Sequence, residues 1–311
     1  VNPYVIPGME HRPNGPLCPF EHDDHKKYYV PVDHSETRYF EFTEAIGDSS
    51  RLIEDGRLVV AYGRETCGKT ALLNRCAKFV SDDLALREKR CAVIGLSDES
   101  SANIAIADRK KYVFRFVLDA IRRREWLEAS DLRELQERQD DLVLAYRYLS
   151  ESLPSDAVVV VLLPSIELTQ ELIDYAALVR PKLLLLAESS YVDEVERCWP
   201  AVQAAVPRVE PIRLMVDRLR VEDGWVFAKA RQKLDAKDRD YPIVTEETMR
   251  LVTDRMKPSI GQLQRLLHGV YREILDQRAA GHALASPEMD EVSYEHITDF
   301  FFRASGQGLM P

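Results

Sequence analysis

A lysine and a hydroxyl residue behind two glycines are the side chains of this sequence best spaced to do chemistry. Residues 63–70 read GRETCGKT and fit G-x-x-x-x-G-K-[ST] in full. Gly63 and Gly68 permit backbone angles that turn amide N–H groups inward. The amides of Arg64, Glu65, Thr66, Cys67 and Ala71, with the N-terminus of the next helix, then form a cradle for phosphate oxygens. Lys69 is expected to neutralise the outer phosphates of a nucleotide, and Thr70 to hold Mg2+ through its hydroxyl. A strand-like run, RLVVAYG (57–63), precedes the loop, and a helical run, ALLNRCAKFV (71–80), follows it. That is the context in which such a loop works. Cys67 contributes mainly its backbone amide.

Hydrolysis asks for more than a cradle. It needs an acid at the tip of a neighbouring strand to hold the metal, and an adjacent acid to polarise water. The natural strand is AVVVVLLPSIEL (157–168), yet Leu163-Pro164-Ser165 occupy the positions where acids belong. Glu167 comes three residues past the strand end. Asp98 and Glu188 end two other strand-like runs. Glu188 and Glu167 are therefore the candidate catalytic acids, and Ser189 and Ser190 are candidate partners of a terminal phosphate. The plainer reading of AESS (187–190) is a strand end followed by a helix cap.

Five apolar runs supply the elements that would position these residues: 57–63, 90–97, 157–164, 182–189 and 211–216. Near-continuous apolar runs are expected of strands buried on both faces of a parallel sheet. A short helix is expected at 42–53, before the first run, and helical stretches separate the runs, including 131–150 with Asp131 and Glu134 as a capping box. The alternation implies a three-layer α/β sandwich. After residue 217 the strands stop, and helices are expected over 221–235, 245–256, 259–277 and 293–304. In the third, Ile260, Leu263, Leu267, Val270 and Ile274 form one stripe, with Ser259 as N-cap. The expected organisation is an irregular Pro- and His-rich arm (1–37), an α/β domain (38–218), a helical domain (219–304) and a tail (305–311).

The net charge of −10 argues against generic nucleic-acid binding, which relies on cationic side chains. The basic run Arg122-Arg123-Arg124 meets Glu125 and Glu128 and reads as a solvated helix face. A local nucleic-acid surface is left as the lesser alternative. Five scattered cysteines form no disulfide framework. No run of about 18 apolar residues is present, so no membrane partner is expected. No leader pattern is visible, and a cytoplasmic location follows as the default. In the arm, His11, Cys18, His22 and His25 read H-x6-C-x3-H-x2-H, with His34 beyond. These are Zn2+-type ligands, but the spacing matches no common finger, and solvated histidines on a proline-rich arm are the better reading.

With these motifs the chain resembles the AAA+ and STAND branch of P-loop ATPases over about residues 38–304, with a degenerate acidic motif at the third strand. The resemblance implies a five-stranded parallel sheet of order 5-1-4-3-2 followed by a small all-helical lid. It would place the fourth strand beside the loop-bearing strand, and Glu188, Ser189 and Ser190 near a terminal phosphate. IRLMVDRLRVEDGWVFAKARQKL (212–234) is similar to the passage into the lid. MKPSIGQLQRLLHGVYREIL (256–275) is similar to the lid helix that carries a second nucleotide-sensing arginine in a G-x-x-R pattern. Counting from Gly261, that position is Gln264, and Arg265 is one place late, about 100° around the helix. Arg197, Arg208 and Arg213 lie where a neighbouring subunit's arginine is supplied in such assemblies.

The resemblance implies ATP rather than GTP and a homo-oligomer or a separately encoded protein partner. An intact loop with altered acids implies a nucleotide-controlled switch or assembly factor whose hydrolysis is slow or absent. The alternatives are an active motor or loader acting on protein or DNA, and a structural scaffold that binds nucleotide constitutively.

Overall fold

The apolar runs become five parallel strands: β1 (Arg57–Tyr62), β2 (Arg90–Gly95), β3 (Ala157–Leu162), β4 (Leu183–Ser189) and β5 (Ile212–Met215). The structure, a computed structural model, describes residues 2–9, 12, 15–32, 34–97, 106–234, 241–280 and 291–306. The sheet order is β2-β3-β4-β1-β5, the expected order read from the opposite edge. Every residue of β3 is buried, as its unbroken Val-Leu run requires. The register of β4 on β1 sets Glu188 beside Ala61 and Ser189 beside Tyr62. It thereby delivers the end of β4 to the start of the 63–70 loop.

The chain forms two compact units. One is Thr37–Arg64 with Lys69–Met215; the other is Val1–Glu36, Glu65–Gly68 and Val216–Pro311. In the first, or α/β unit, the helices are α1 (Ser35–Ile46), which enters from the other unit, then α2 (Leu52–Asp55), α3 (Lys69–Leu86), α4 (Ile106–Arg122), α5 (Ala129–Glu137), α6 (Leu142–Ser152), α7 (Thr169–Leu178) and α8 (Val192–Ala205). Val113, Val117 and Ile121 of α4 and Leu172 and Tyr175 of α7 join Val159, Val161, Leu183 and Leu185 of the sheet in one core. Burying a side chain of this size stabilises by about 1.5–3 kcal/mol.

Two helices differ from the sequence expectation. The stretch 131–150 is two helices, because the Asp141 carboxylate accepts from Leu144 N (3.2 Å) and starts α6 afresh. α5 begins at Ala129 with Glu128 as an N-cap that makes no side-chain bond, so the 131/134 capping box does not form. The expected 42–53 helix starts earlier and stops at Ile46. Gly47, at φ 57°, takes the left-handed conformation that ends α1.

The second, helical unit holds α9 (Val221–Leu234), α10 (Glu246–Met256), α11 (Ile260–Ala279) and α12 (Tyr294–Gly306). Strands do not stop at 217: β6 (Ile243–Val244) pairs in parallel with β7 (Glu291–Val292). Two residues are too few to show a period. Ser259 caps α11 by accepting from Gln262 N (3.2 Å), and Gln262 Oε1 accepts in return from Ser259 N (2.9 Å). The α11 stripe packs Leu263, Leu267, Val270 and Ile274 against Phe227, Met249, Val252 and Ile297.

The N-terminal residues are part of this core. Tyr4 has no exposed surface, and its ring stands 5.1 Å from Tyr271 and 6.2 Å from Phe227. Gln264 Nε2 donates to Tyr4 O (2.6 Å), and Asn2 Nδ2 donates to His268 O (2.9 Å). Further along, the buried His25 organises the turns: Cys18 N donates to His25 Nδ1 (2.9 Å), and Nε2 bonds to Pro7 O (3.1 Å). Among the described residues no helix is long and apolar enough to cross a membrane.

Candidate functional site

The 63–70 loop turns where its sequence demands it. Gly68 has φ 83°, a left-handed angle that favours glycine, and Thr66 adopts φ 60°. α3 begins at Lys69, directly out of the loop. Its first N–H groups have no partner within the helix, which makes this end suited to an anion.

Within the α/β unit Lys69 is buried and tied to the loop that bears it. Its ammonium donates to Gly63 O (2.9 Å), Arg64 O (2.7 Å) and Ser190 Oγ (3.1 Å). Thr70 Oγ1 donates to Glu188 Oε2 (2.6 Å). The register explains the meeting, since Glu188 lies beside Ala61, two residues before Gly63. A primary ammonium, a hydroxyl and a carboxylate are thus gathered at the C-terminal ends of β1 and β4. In open parallel sheets this is the edge where ligands bind.

The end of β4 is pinned from both sides. Gly63 N donates to Ser189 O (3.2 Å), and Ile166 N donates to Glu188 O (2.8 Å). The hydroxyl at Lys69 belongs to Ser190. Ser189 instead accepts from Tyr191 N (3.3 Å), in the manner of a cap. Side chains alternate along a strand, so Glu188 and Ser190 share a side and Ser189 takes the other.

Glu167 is placed with a different group. It pairs with Arg109 Nη2 (3.3 Å), while Arg109 Nη1 reaches Glu171 Oε2 and Ser165 O (both 3.4 Å). Arg109 and Glu171 are both buried, and burial raises the Glu171 carboxyl above its ordinary range against the pull of Arg109. The segment after β3 is therefore organised around Arg109. Asp98 lies outside the described residues.

In the helical unit, the loop tip 65–68 is joined to the start of α11. Gly261 N donates to Thr66 O (3.0 Å), and the hydroxyls of Thr66 and Ser259 are 2.6 Å apart. Thr66 Oγ1 donates to Glu65 O (2.7 Å), so Ser259 supplies the proton between the two hydroxyls. A Cβ on Gly261 would stand 2.9 Å from both Thr66 Cβ and Thr66 O. Glycine is required there for close approach, a role separate from the G-x-x-R pattern. Cys67 is buried at the tip. Gln264 is spent on Tyr4 O, and Arg265 is half-buried with its Nε lacking a hydrogen-bond partner.

The other residues singled out by sequence are scattered. Arg197 is exposed and pairs with Glu194 (2.9 Å), Arg208 donates to Glu54 O (2.7 Å), and Arg213 lies over the Trp199 ring (5.7 Å). Of the arm histidines, His25 has both ring nitrogens engaged, His22 stacks on it (4.9 Å), and His34 bonds to Arg220. His11 lies outside the described residues. Among the described residues no group of three or more His, Cys, Asp or Glu side chains is placed to hold a metal ion.

The fold has counterparts among solved structures. The Aeropyrum pernix ORC1 protein in complex with DNA superposes with a TM-score of 0.55 at 12% identity, over 87% of this chain and 65% of that one. The Aeropyrum pernix ORC2 protein in its ADPNP-ADP complexes gives 0.52 at 15%, over 87% and 66%. CDC6P from Pyrobaculum aerophilum gives 0.50 at 15%, over 82% and 65%. The fold is that of the AAA+ P-loop ATPases. The chain spans 65–66% of the length of these three AAA+ proteins. No protein-family model and no curated protein matches it by sequence. The likeness is one of strand order and helical C-terminal region, at identities where most side chains differ.

Proposed function

We propose that this AAA+-fold chain is an ATP- and Mg2+-binding switch or assembly factor whose hydrolysis is slow or absent. The observation that carries the reading is the Thr70–Glu188 hydrogen bond beside the buried Lys69 ammonium. The donor set suits the ligand. Hydroxyl and carboxylate oxygens are ligands of the type Mg2+ takes, and an ammonium at a turn of backbone amides suits phosphate. Thr70 and Glu188 would hold the metal, which when bound supplies positive charge against the outer phosphates. Lys69 would exchange its carbonyl and Ser190 acceptors for phosphate oxygens.

Slow turnover follows from what stands at the end of β3. Leu163, Pro164 and Ser165 carry no carboxylate, and Glu167 is engaged with Arg109. Glu188 takes the part of the metal-side acid, while the acid that would polarise water has no counterpart there. The switch reading is supported by the bonds of Thr66 to Ser259 and Gly261, which give the loop a direct link to α11. A ligand that favours one state of that link shifts the population by its differential affinity. The net charge of −10 weighs against nucleic acid as the partner.

The test is equilibrium binding of ATP with and without Mg2+, paired with light scattering of the protein with and without Mg·ATP. Tight Mg2+-dependent binding with a change in assembly or partner capture supports a switch. Binding with no change in either leaves only a scaffold. No binding contradicts the reading.

A further inference from the structure

The α/β unit carries a cleft at the N-terminal ends of its strands, on the edge opposite the 63–70 loop. Its volume is about 470 Å³, a size ordinary for a small-molecule site. Asp55 lines it just before β1, Arg180 and Pro181 just before β4, and Arg208 ahead of β5. α6 supplies the facing wall. On that wall Val143 and Leu144 are 49% and 44% exposed. Adjacent apolar side chains left open at a cleft suit a ligand with an apolar part.

Three arginines line the same cleft: Arg147, Arg180 and Arg208. Arg147 is matched by Glu151 on its own helix (3.1 Å). Arg180 Nη1 donates to Ala177 O (2.8 Å) and Val179 O (2.6 Å), and Arg208 Nη1 donates to Glu54 O (2.7 Å). Among the described residues neither of these two makes an ion pair. The charge that acts on Arg180 is of its own sign: burial lowers its pKa, and the Arg147 guanidinium lowers it further. The turn that presents Arg180 is held in place. Ser150 Oγ donates to Pro181 O (2.8 Å), and Lys182 Nζ donates to Ser150 O (3.0 Å) and Leu153 O (2.7 Å). Lys182 N donates to Leu52 O (2.7 Å), and a Cβ on Gly56 would collide with Arg180 O. Like charges held at one cleft repel until an anion lies between them.

We propose that this cleft binds a small carboxylate with an apolar body. A guanidinium grips a carboxylate through two parallel hydrogen bonds, a match of shape as well as charge. The charge of the lining fits one such group. With Arg147 matched by Glu151, Arg180 and Arg208 stand against Asp55 alone and leave one positive charge to balance. A phosphate dianion would overshoot it. Val143, Leu144 and Val179 supply the contact for the apolar body. The site is independent of the nucleotide reading, because no residue of the 63–70 loop lines it.

The experiment titrates the whole chain, methyl-labelled at valine and leucine, with phenylpropionate and with the uncharged phenylpropanol, and follows the methyl NMR signals without nucleotide. Wild type is run beside Arg180→Met and Arg208→Met. Arg208 is exposed, so its replacement keeps the test intact if Arg180→Met does not fold. The expected result is a saturable shift of the Val143, Leu144 and Val179 methyls by phenylpropionate. The alcohol should bind about tenfold more weakly or worse, and phenylpropionate should bind each folded variant about tenfold more weakly than wild type. No saturable shift at these methyls overturns the proposal. Equal binding of the alcohol overturns it as well, since the cleft is then only apolar. So does an affinity for phenylpropionate that Arg208→Met leaves unchanged.

Discussion

Thr70 and Glu188, 118 residues apart in sequence, are joined by a 2.6 Å hydrogen bond from the threonine hydroxyl to the glutamate carboxylate. The bond sets a hard-oxygen pair beside the Lys69 ammonium. It also gives the account its first prediction. Thr70→Val keeps the size of the side chain and removes the hydroxyl. ATP affinity measured calorimetrically in Mg2+ should fall about tenfold or more, the effect of losing one charge-assisted bond. Affinity in EDTA should change little. An equal fall in both conditions would show that Thr70 acts without the metal.

Gly261→Ala should destabilise the chain by about 1–3 kcal/mol, because the new Cβ meets Thr66 at 2.9 Å. The sign is the test. Glycine to alanine in an open helical position ordinarily stabilises by up to about 1 kcal/mol. A raised melting midpoint in Gly261→Ala would mean that Thr66 yields easily and that its link to α11 is loose.

Gln264 replaces the arginine of the G-x-x-R pattern and donates to Tyr4 O at 2.6 Å. Gln264→Leu leaves that carbonyl without its buried donor and should cost about 1–3 kcal/mol. Hydrogen exchange should rise at residues 2–9 well before it rises in β3. Unchanged protection at Tyr4 would show that ring packing alone holds the segment.

His25 makes the N-terminal turns sensitive to acid. Its Nδ1 accepts from Cys18 N, so the neutral Nε2–H form is the one that fits. Burial lowers its pKa below the ordinary 6.5, and His22 adds to the effect, while Pro7 O, Asp24 and Glu21 oppose it. Below 6.5 the unfolded chain takes up the proton and the folded chain does not, so stability is full above that pH and falls as pH drops toward the folded value. His25→Asn should flatten this part of the profile, read from melting midpoints between about pH 7.5 and about pH 5, a window that spans the ordinary histidine range. A profile identical to wild type would place the acid sensitivity elsewhere.

The five strands were legible because Val-Leu runs such as 157–162 have no other stable use than a doubly covered sheet. The loop and the Ser259 N-cap were legible because both are local patterns, but the return bond from Gln262 was not read, and the capping box expected at Asp131 and Glu134 does not form. Non-local pairings were not. Glu188 could be suspected from its place at a strand end, but its meeting with Thr70 depends on the register of β4 against β1. That Ser190 rather than Ser189 faces Lys69 follows from strand alternation just past the last paired residue. Tyr4 lies in a proline-rich stretch that reads as irregular, and its partners Gln264 and Tyr271 come more than 250 residues later.

The most direct measurement of the central claim uses purified chain with Mg·ATP, recording bound nucleotide per chain and phosphate released over an hour. Lys69→Ala and Glu188→Gln are run beside it. The account predicts one nucleotide per chain, lost in Lys69→Ala, with release far below the ~1 s⁻¹ at the low end of ordinary enzymes. Whatever release occurs should vanish in Glu188→Gln. Release near or above that rate and untouched by Glu188→Gln, or bound nucleotide that Lys69→Ala fails to remove, would contradict it.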